Sequence, residues 1–171
     1  PVDRLTIEMM ELFNKEKVIV YNTIQLYRHD RLHFLKLSHQ IAQQQGFMLG
    51  IKLVRGAYME KERARANDRG YASPIQTDKE STDRDYNAAV AYCINHIEQI
   101  SVIIASHNEE SNLLAAGLLN EKGLAHNHPH IHFSQLYGMS DNITFNLAKE
   151  GFGVSKYLPF GPIRDVIPYL M

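Results

Sequence analysis

The sequence predicts an α/β domain built on a parallel sheet, and specifically an incomplete (β/α)8 TIM-type barrel. Five β-branched segments are each separated from the next by a helical segment, a pattern that specifies right-handed crossovers between parallel strands. No G-x-G-x-x-G turn follows any of these strands, although a doubly wound nucleotide-binding sheet usually has one after its first strand. The length is 171 residues. A complete barrel typically needs about 250, so five strands would form only part of one.

The elements follow in order. Leu5-Thr6-Ile7-Glu8-Met9-Met10-Glu11-Leu12-Phe13 spaces its apolar side chains three and four apart and is predicted as a helix with one buried face. After a charged break, Val18-Ile19-Val20-Tyr21-Asn22-Thr23 is β-branched and aromatic and is predicted as a buried strand. A helix runs from Arg31 to Gln45 and stops at Gly46, where glycine accepts the left-handed conformation of a helix end. Gly50-Ile51-Lys52-Leu53-Val54-Arg55-Gly56 is the next strand. An insertion follows, with helix formers over 58–68, a loop over 70–74 and apolar residues at helical spacing over 79–99. The alternation then resumes with a strand over 101–106, a helix over 109–121 ending at Gly123, and a strand over 131–134. A helix over 142–149 and a strand over 153–158 come next. Pro159-Phe160-Gly161-Pro162 turns the chain into a last helix beginning at Ile163.

Composition narrows the partners. Hydrophobic residues make up 44% and charged residues 22%, which supports one domain with a buried core rather than disorder. Lys and Arg number 18 against 19 Asp and Glu, so no overall basic field exists to hold nucleic acid or an anionic membrane. The single cysteine, Cys93, cannot form an internal disulfide and is expected to fill a buried helix face. No apolar run reaches the roughly 18 residues of a membrane span, so any membrane contact is expected to be peripheral. The opening Pro1-Val2-Asp3-Arg4 has no initiating Met, and the chain is expected to be a fragment of a longer one.

In parallel barrels the reactive groups gather at the carboxyl ends of the strands. Those ends collect Gln25; Lys52 and Arg55 with Gly56 and Ala57; Ser106, His107 and Asn108; Gln135 with Tyr137; and Lys156 with Tyr157. Lys52 and Arg55 differ by three and point to opposite faces of a regular strand, unless the backbone bulges near Gly56. The small pair Gly56-Ala57 would let a flat ligand approach the backbone, and a nearby cation would stabilise negative charge developing on it. A flavin suits that geometry, because accepting hydride leaves its ring electron-rich. The competing expectation for Arg55 is a surface ion pair with Glu60 or Glu62.

Lys52-Leu53-Val54-Arg55-Gly56-Ala57-Tyr58 resembles a signature of proline dehydrogenases, found also in bifunctional proline utilisation flavoenzymes. Ala105-Ser106-His107-Asn108, Gln135-Leu136-Tyr137-Gly138-Met139 and Lys156-Tyr157-Leu158-Pro159-Phe160-Gly161-Pro162 resemble further segments of that family, as does Asn22-Thr23-Ile24-Gln25, all in the family's order. The resemblance implies that the present strands are the fourth to the eighth of a distorted barrel. It also implies that the barrel holds FAD noncovalently and passes electrons from L-proline to a membrane quinone. By the same carry-over Gln25, Arg55, Gly56, Ala57, Ser106 and His107 contact FAD, Lys52 lies beside the reactive edge of the flavin as the catalytic cation, and Tyr157 lines the proline pocket. Where Lys52 stands many members have arginine, and an ammonium keeps the charge without the forked contacts. The family continues past Pro168-Tyr169-Leu170 into an arginine pair that binds the substrate carboxylate, and this chain ends at Met171, so alone it is expected not to catalyse. The implied setting is cytoplasmic with peripheral membrane association in a bacterium, or the mitochondrial inner membrane or matrix in a eukaryote.

Two other classes compete. His126, His128, His130 and His132 alternate, would share a face of a strand, and could hold zinc in a metal-dependent barrel hydrolase. Pro129 interrupts that ladder, and it falls at the start of a strand, the wrong end for barrel chemistry. The other alternative is a truncated barrel that serves as an interaction module through its open strand edges.

Overall fold

The computed structural model describes residues 2–170, the side chains of 165 and 168–170 excepted. The elements are α1 (Val2–Phe13), β1 (Asn22–Gln25), α2 (Arg31–Gln45), β2 (Leu49–Val54), α3 (Met59–Arg69) and α4 (Lys79–Asn95). They continue with β3 (Ile100–Ala105), α5 (Glu109–Glu121), β4 (Ile131–Leu136), α6 (Asp141–Lys149), β5 (Val154–Tyr157) and α7 (Ile163–Leu170). Every neighbouring strand pair is parallel, and the sheet order β1-β2-β3-β4-β5 repeats the chain order. The reversal that marks a doubly wound sheet does not occur among these strands.

Side-chain alternation divides the sheet into two faces. Leu49, Ile51 and Leu53 of β2, Ile100, Val102 and Ile104 of β3, and Ile131 and Phe133 of β4 enter one core with helix residues such as Leu35, Val90 and Leu119. Lys52 and Val54 fall on the opposite face. Cys93 is buried in α4, as expected of a helix filler, and burial pushes its thiol pKa up.

The first strand departs from expectation, since pairing begins at Asn22 rather than Val18. Buried Asn14 is the cause. Its Oδ1 accepts from the backbone N–H of Ile19 and of Val20, both at 2.9 Å, and its Nδ2 donates to the carbonyls of Val20 at 2.8 Å and Met48 at 3.1 Å. One side chain thus takes the backbone groups that a ladder would have used. The same segment abuts β2 closely enough that a Cβ on Gly50 would stand 2.2 Å from the Val20 carbonyl oxygen. Helix α4 also ends at Asn95, short of the expected Gln99. The His96 N–H turns back to the Cys93 carbonyl, and the Gln99 carbonyl accepts from Leu49 at the start of β2. The expectations attached to Pro1 and Met171 lie outside the described residues.

The histidine ladder does not form. His126 stacks on Phe152 with centroids 4.1 Å apart and bonds to Asn120 Oδ1 at 2.8 Å, while His130 Nδ1 donates to the Ile97 carbonyl at 2.9 Å. His132 lies in β4 beside Gly153. His128 Nδ1 accepts from the His130 N–H at 3.2 Å, with the two rings edge-on at 5.3 Å, and among the described residues no group of three His, Cys, Asp or Glu is placed to hold a metal ion.

Candidate functional site

The last residue of every strand, namely Gln25, Val54, Ala105, Leu136 and Tyr157, lines a single cleft of ≈ 940 Å³ at the carboxyl edge of the sheet. That volume falls near the top of the range for small-molecule and cofactor sites, about 300–1,000 Å³. Arg55, Gly56 and Ala57 enter from the turn after β2, and Ser106 and His107 from the turn after β3. With Lys52, the eight residues to which the family resemblance assigns a role in cofactor binding, catalysis or substrate binding border the same space. Lys52, Arg55, Lys79 and His107 contribute the ionisable cations, and among the described residues no carboxylate lines the cleft.

Each position has a local cause. Gly56 adopts φ 125°, and a Cβ there would stand 2.6 Å from the Tyr27 ring. The glycine is required by its backbone conformation and by packing, and the expected room for a flat ligand is on that side filled by Tyr27. Its turn carries Arg55 past the regular strand, so Lys52 and Arg55 both reach the cleft despite their three-residue spacing.

Arg55 pairs with neither Glu60 nor Glu62. Its Nε donates to Asp83 Oδ1 at 2.7 Å, Nη1 to Ser106 Oγ at 2.8 Å and Nη2 to Ser111 Oγ at 2.9 Å, and the guanidinium carbon lies 4.3 Å from the centroid of the Tyr86 ring. Glu62 lies instead 3.9 Å from Arg28, and Glu60 pairs with Arg63. Tyr86 is wholly buried, and burial raises its hydroxyl pKa. Ser106 Oγ also accepts from the Asn108 N–H at 3.0 Å, so any further bond it makes is one in which it donates.

Lys52 is half-buried, and burial lowers the pKa of its ammonium. Its Nζ lies 4.0 Å from the centroid of the Tyr157 ring, and among the described residues no carboxylate pairs with it. His107 Nδ1 shares a 2.9 Å hydrogen bond with Ser140 Oγ; partial burial and then the charge of Lys156 lower its pKa.

The other strand-end candidates described are committed to structural bonds, although Asn108 and Gln135 also line the cleft. Asn108 caps α5, its Oδ1 accepting from the Ser111 N–H at 2.8 Å. Gln135 is held by the Ser106 carbonyl at 3.2 Å and the Thr144 hydroxyl at 2.8 Å. Lys156 pairs with Asp141 at 2.6 Å and donates to the Met139 carbonyl, bracing the loop before α6. Tyr137 and Lys156 do not line the cleft. Sequence reasoning missed Asp83, Ser111 and Tyr86, which hold Arg55 from elements 28 to 56 residues away. No local pattern marks them. Lys79, which the sequence pattern marks only as the start of a helix, also lines the cleft.

A family model described as proline dehydrogenase matches residues 2–171. The chain is 40% identical over 174 residues to the mitochondrial proline dehydrogenase 1 of Caenorhabditis elegans, covering 99% of this chain and 28% of that protein. It is 39% identical over 171 residues to the hydroxyproline dehydrogenase of Xenopus laevis, covering 98% of this chain and 37% of that one. Among solved structures, proline utilization A (PutA) from Bdellovibrio bacteriovorus, inactivated by N-propargylglycine, matches with a TM-score of 0.88 at 28% identity, over 99% of this chain and 18% of that one. The chain thus spans well under half the length of each of these proteins. With the match running from residue 2 to residue 171 and the parallel sheet reproduced, this chain belongs to the proline dehydrogenase family.

Proposed function

We propose that the protein carrying this chain oxidises L-proline to 1-pyrroline-5-carboxylate, with FAD held in the cleft and electrons passed on to a quinone. The observation that carries this reading is the convergence of Gln25, Lys52, Arg55, Gly56, Ala57, Ser106, His107 and Tyr157 on one space at the strand ends. The donor set fits an anionic dinucleotide. Its volume is ample, and its lining holds cations and hydroxyls without a described carboxylate to repel phosphate. Arg55, Ser106, His107 and Gln25 would hold the cofactor by polar contacts, and Gly56 and Ala57 by backbone approach. Bound there, FAD would supply the two-electron acceptor for the C–H bond of the substrate.

Lys52 places a positive charge, partly shielded from water, where negative charge develops on the acceptor, and a shielded charge acts more strongly than a solvated one. Tyr157 supplies an apolar wall for the pyrrolidine ring. The Xenopus laevis relative is named for hydroxyproline, so the substrate comparison includes both imino acids.

We read the sheet as strands four to eight of a (β/α)8 barrel. The unreversed strand order supports this. So does the contact of Lys52 with Tyr157, because β2 and β5 are three strand spacings apart, roughly 14 Å in a flat sheet. A cation–ring distance of 4.0 Å fits a sheet curved around the cleft. The Caenorhabditis elegans relative is named mitochondrial and the PutA neighbour comes from a bacterium, which supports a mitochondrial inner-membrane or matrix setting in a eukaryote or a cytoplasmic one in a bacterium; no described helix is long and apolar enough to cross a membrane. Exchange with a membrane quinone would then be a peripheral contact.

The test is anaerobic addition of L-proline to the purified intact protein loaded with FAD. Loss of the visible absorption band of the flavin is expected. A loaded protein that stays oxidised with both L-proline and 4-hydroxyproline would overturn the reading.

A further inference from the structure

A guanidinium has five N–H groups, and the three described bonds of Arg55 use one on each nitrogen. One hydrogen on each Nη remains uncommitted, at a residue that lines the cleft. Two of the three partners are neutral hydroxyls. The charged partner is Asp83 on α4, which is itself outside the cleft wall; its second oxygen is held by Lys79, which is in that wall. Both members of the Arg55–Asp83 pair are about three-quarters buried, with side chains 23% and 25% exposed. Ser111 is fixed in turn by donating to Asn87 Oδ1 at 2.7 Å, so the support behind Arg55 is continuous.

We propose that Asp83 is a positioning residue that fixes Arg55 on the cleft wall so that the free N–H groups of Arg55 meet the anionic part of a bound cofactor. The inference rests on the FAD reading and adds a residue that never touches the cofactor. Neutralising Asp83 has two effects of opposite sign. Removing a negative charge behind a cation-lined cleft strengthens its attraction for an anion. Releasing Nε frees a long side chain to rotate and misplaces its donors. Positioning requires that the second effect win, so the direction of change decides.

The experiment measures the equilibrium dissociation constant for FAD on the intact protein by flavin fluorescence. Asp83→Asn is expected to raise it roughly tenfold, and Asp83→Glu by less. In an Arg55→Met background, Asp83→Asn is expected to change it by no more than about twofold, because Asp83 acts through Arg55. Folded Asp83→Asn protein that binds FAD as tightly as the parent, or more tightly, overturns the proposal. A full tenfold loss that persists without Arg55 also overturns it. Should circular dichroism show that Asp83→Asn does not fold, Asp83→Glu and Ser111→Ala carry the test, and parent-like affinity in both overturns it. A parent that takes up no FAD refutes the cofactor reading itself, which separates that failure from this one.

Discussion

At the scale of single residues, Gly56 and Lys52 are held by different physics. Gly56 combines a positive φ with a Tyr27 ring where a Cβ would go. Gly56→Ala is therefore expected to destabilise the protein by about 2–4 kcal/mol, through backbone strain and overpacking together, seen as a lower denaturant midpoint. Lys52 carries its charge at a cost, because burial favours the neutral amine. If turnover needs the ammonium, the alkaline fall in kcat/KM for proline begins below the range of an ordinary lysine, since the proton leaves at lower pH. Lys52→Arg keeps a cation that does not titrate there and is expected to move that fall upward. Lys52→Met is expected to lower kcat/KM by at least about 100-fold while FAD stays bound; an unchanged value in steady-state kinetics would remove Lys52 from the reaction.

At the scale of elements, α2 and α4 meet around buried His39. Its Nε2 donates to Gln99 Oε1 at 2.8 Å, because a carbonyl oxygen only accepts, and its Nδ1 accepts from the Tyr92 hydroxyl at 2.8 Å. Burial lowers the pKa of His39, so the folded state prefers the neutral ring. Below the unfolded value of about 6.5 the unfolded chain takes up a proton that the folded one resists, and stability falls with pH until the folded pKa is passed. His39→Gln is expected to flatten the dependence of Tm on pH in that window, and an unchanged slope would contradict the assignment. These elements were largely legible in the sequence: α2, α5 and the four later strands follow from periodicity, Gly46 and the β-branched runs. The start of β1 was not, because the side chain of Asn14, itself anchored to the Met48 carbonyl 34 residues on, takes the backbone groups of Ile19 and Val20. Local propensity cannot register a bond closed by tertiary packing.

At the scale of the whole molecule, the strand ends meet in one place, and that too was legible, because alternation and strand order alone bring Gln25, Lys52, Ser106 and Tyr157 to the carboxyl edge. The support behind them was hidden. Asp83 follows Lys79 by four on an ordinary charged helix face, and only the folded chain brings it to Arg55. In the proposed reading this edge cradles the isoalloxazine ring of FAD. The most direct measurement is a crystal structure of the intact protein loaded with FAD: the ring is expected against the ends of β1 to β5, with Lys52 beside it and Arg55 still paired to Asp83. A flavin bound elsewhere, with this cleft filled by protein or solvent, would contradict that reading.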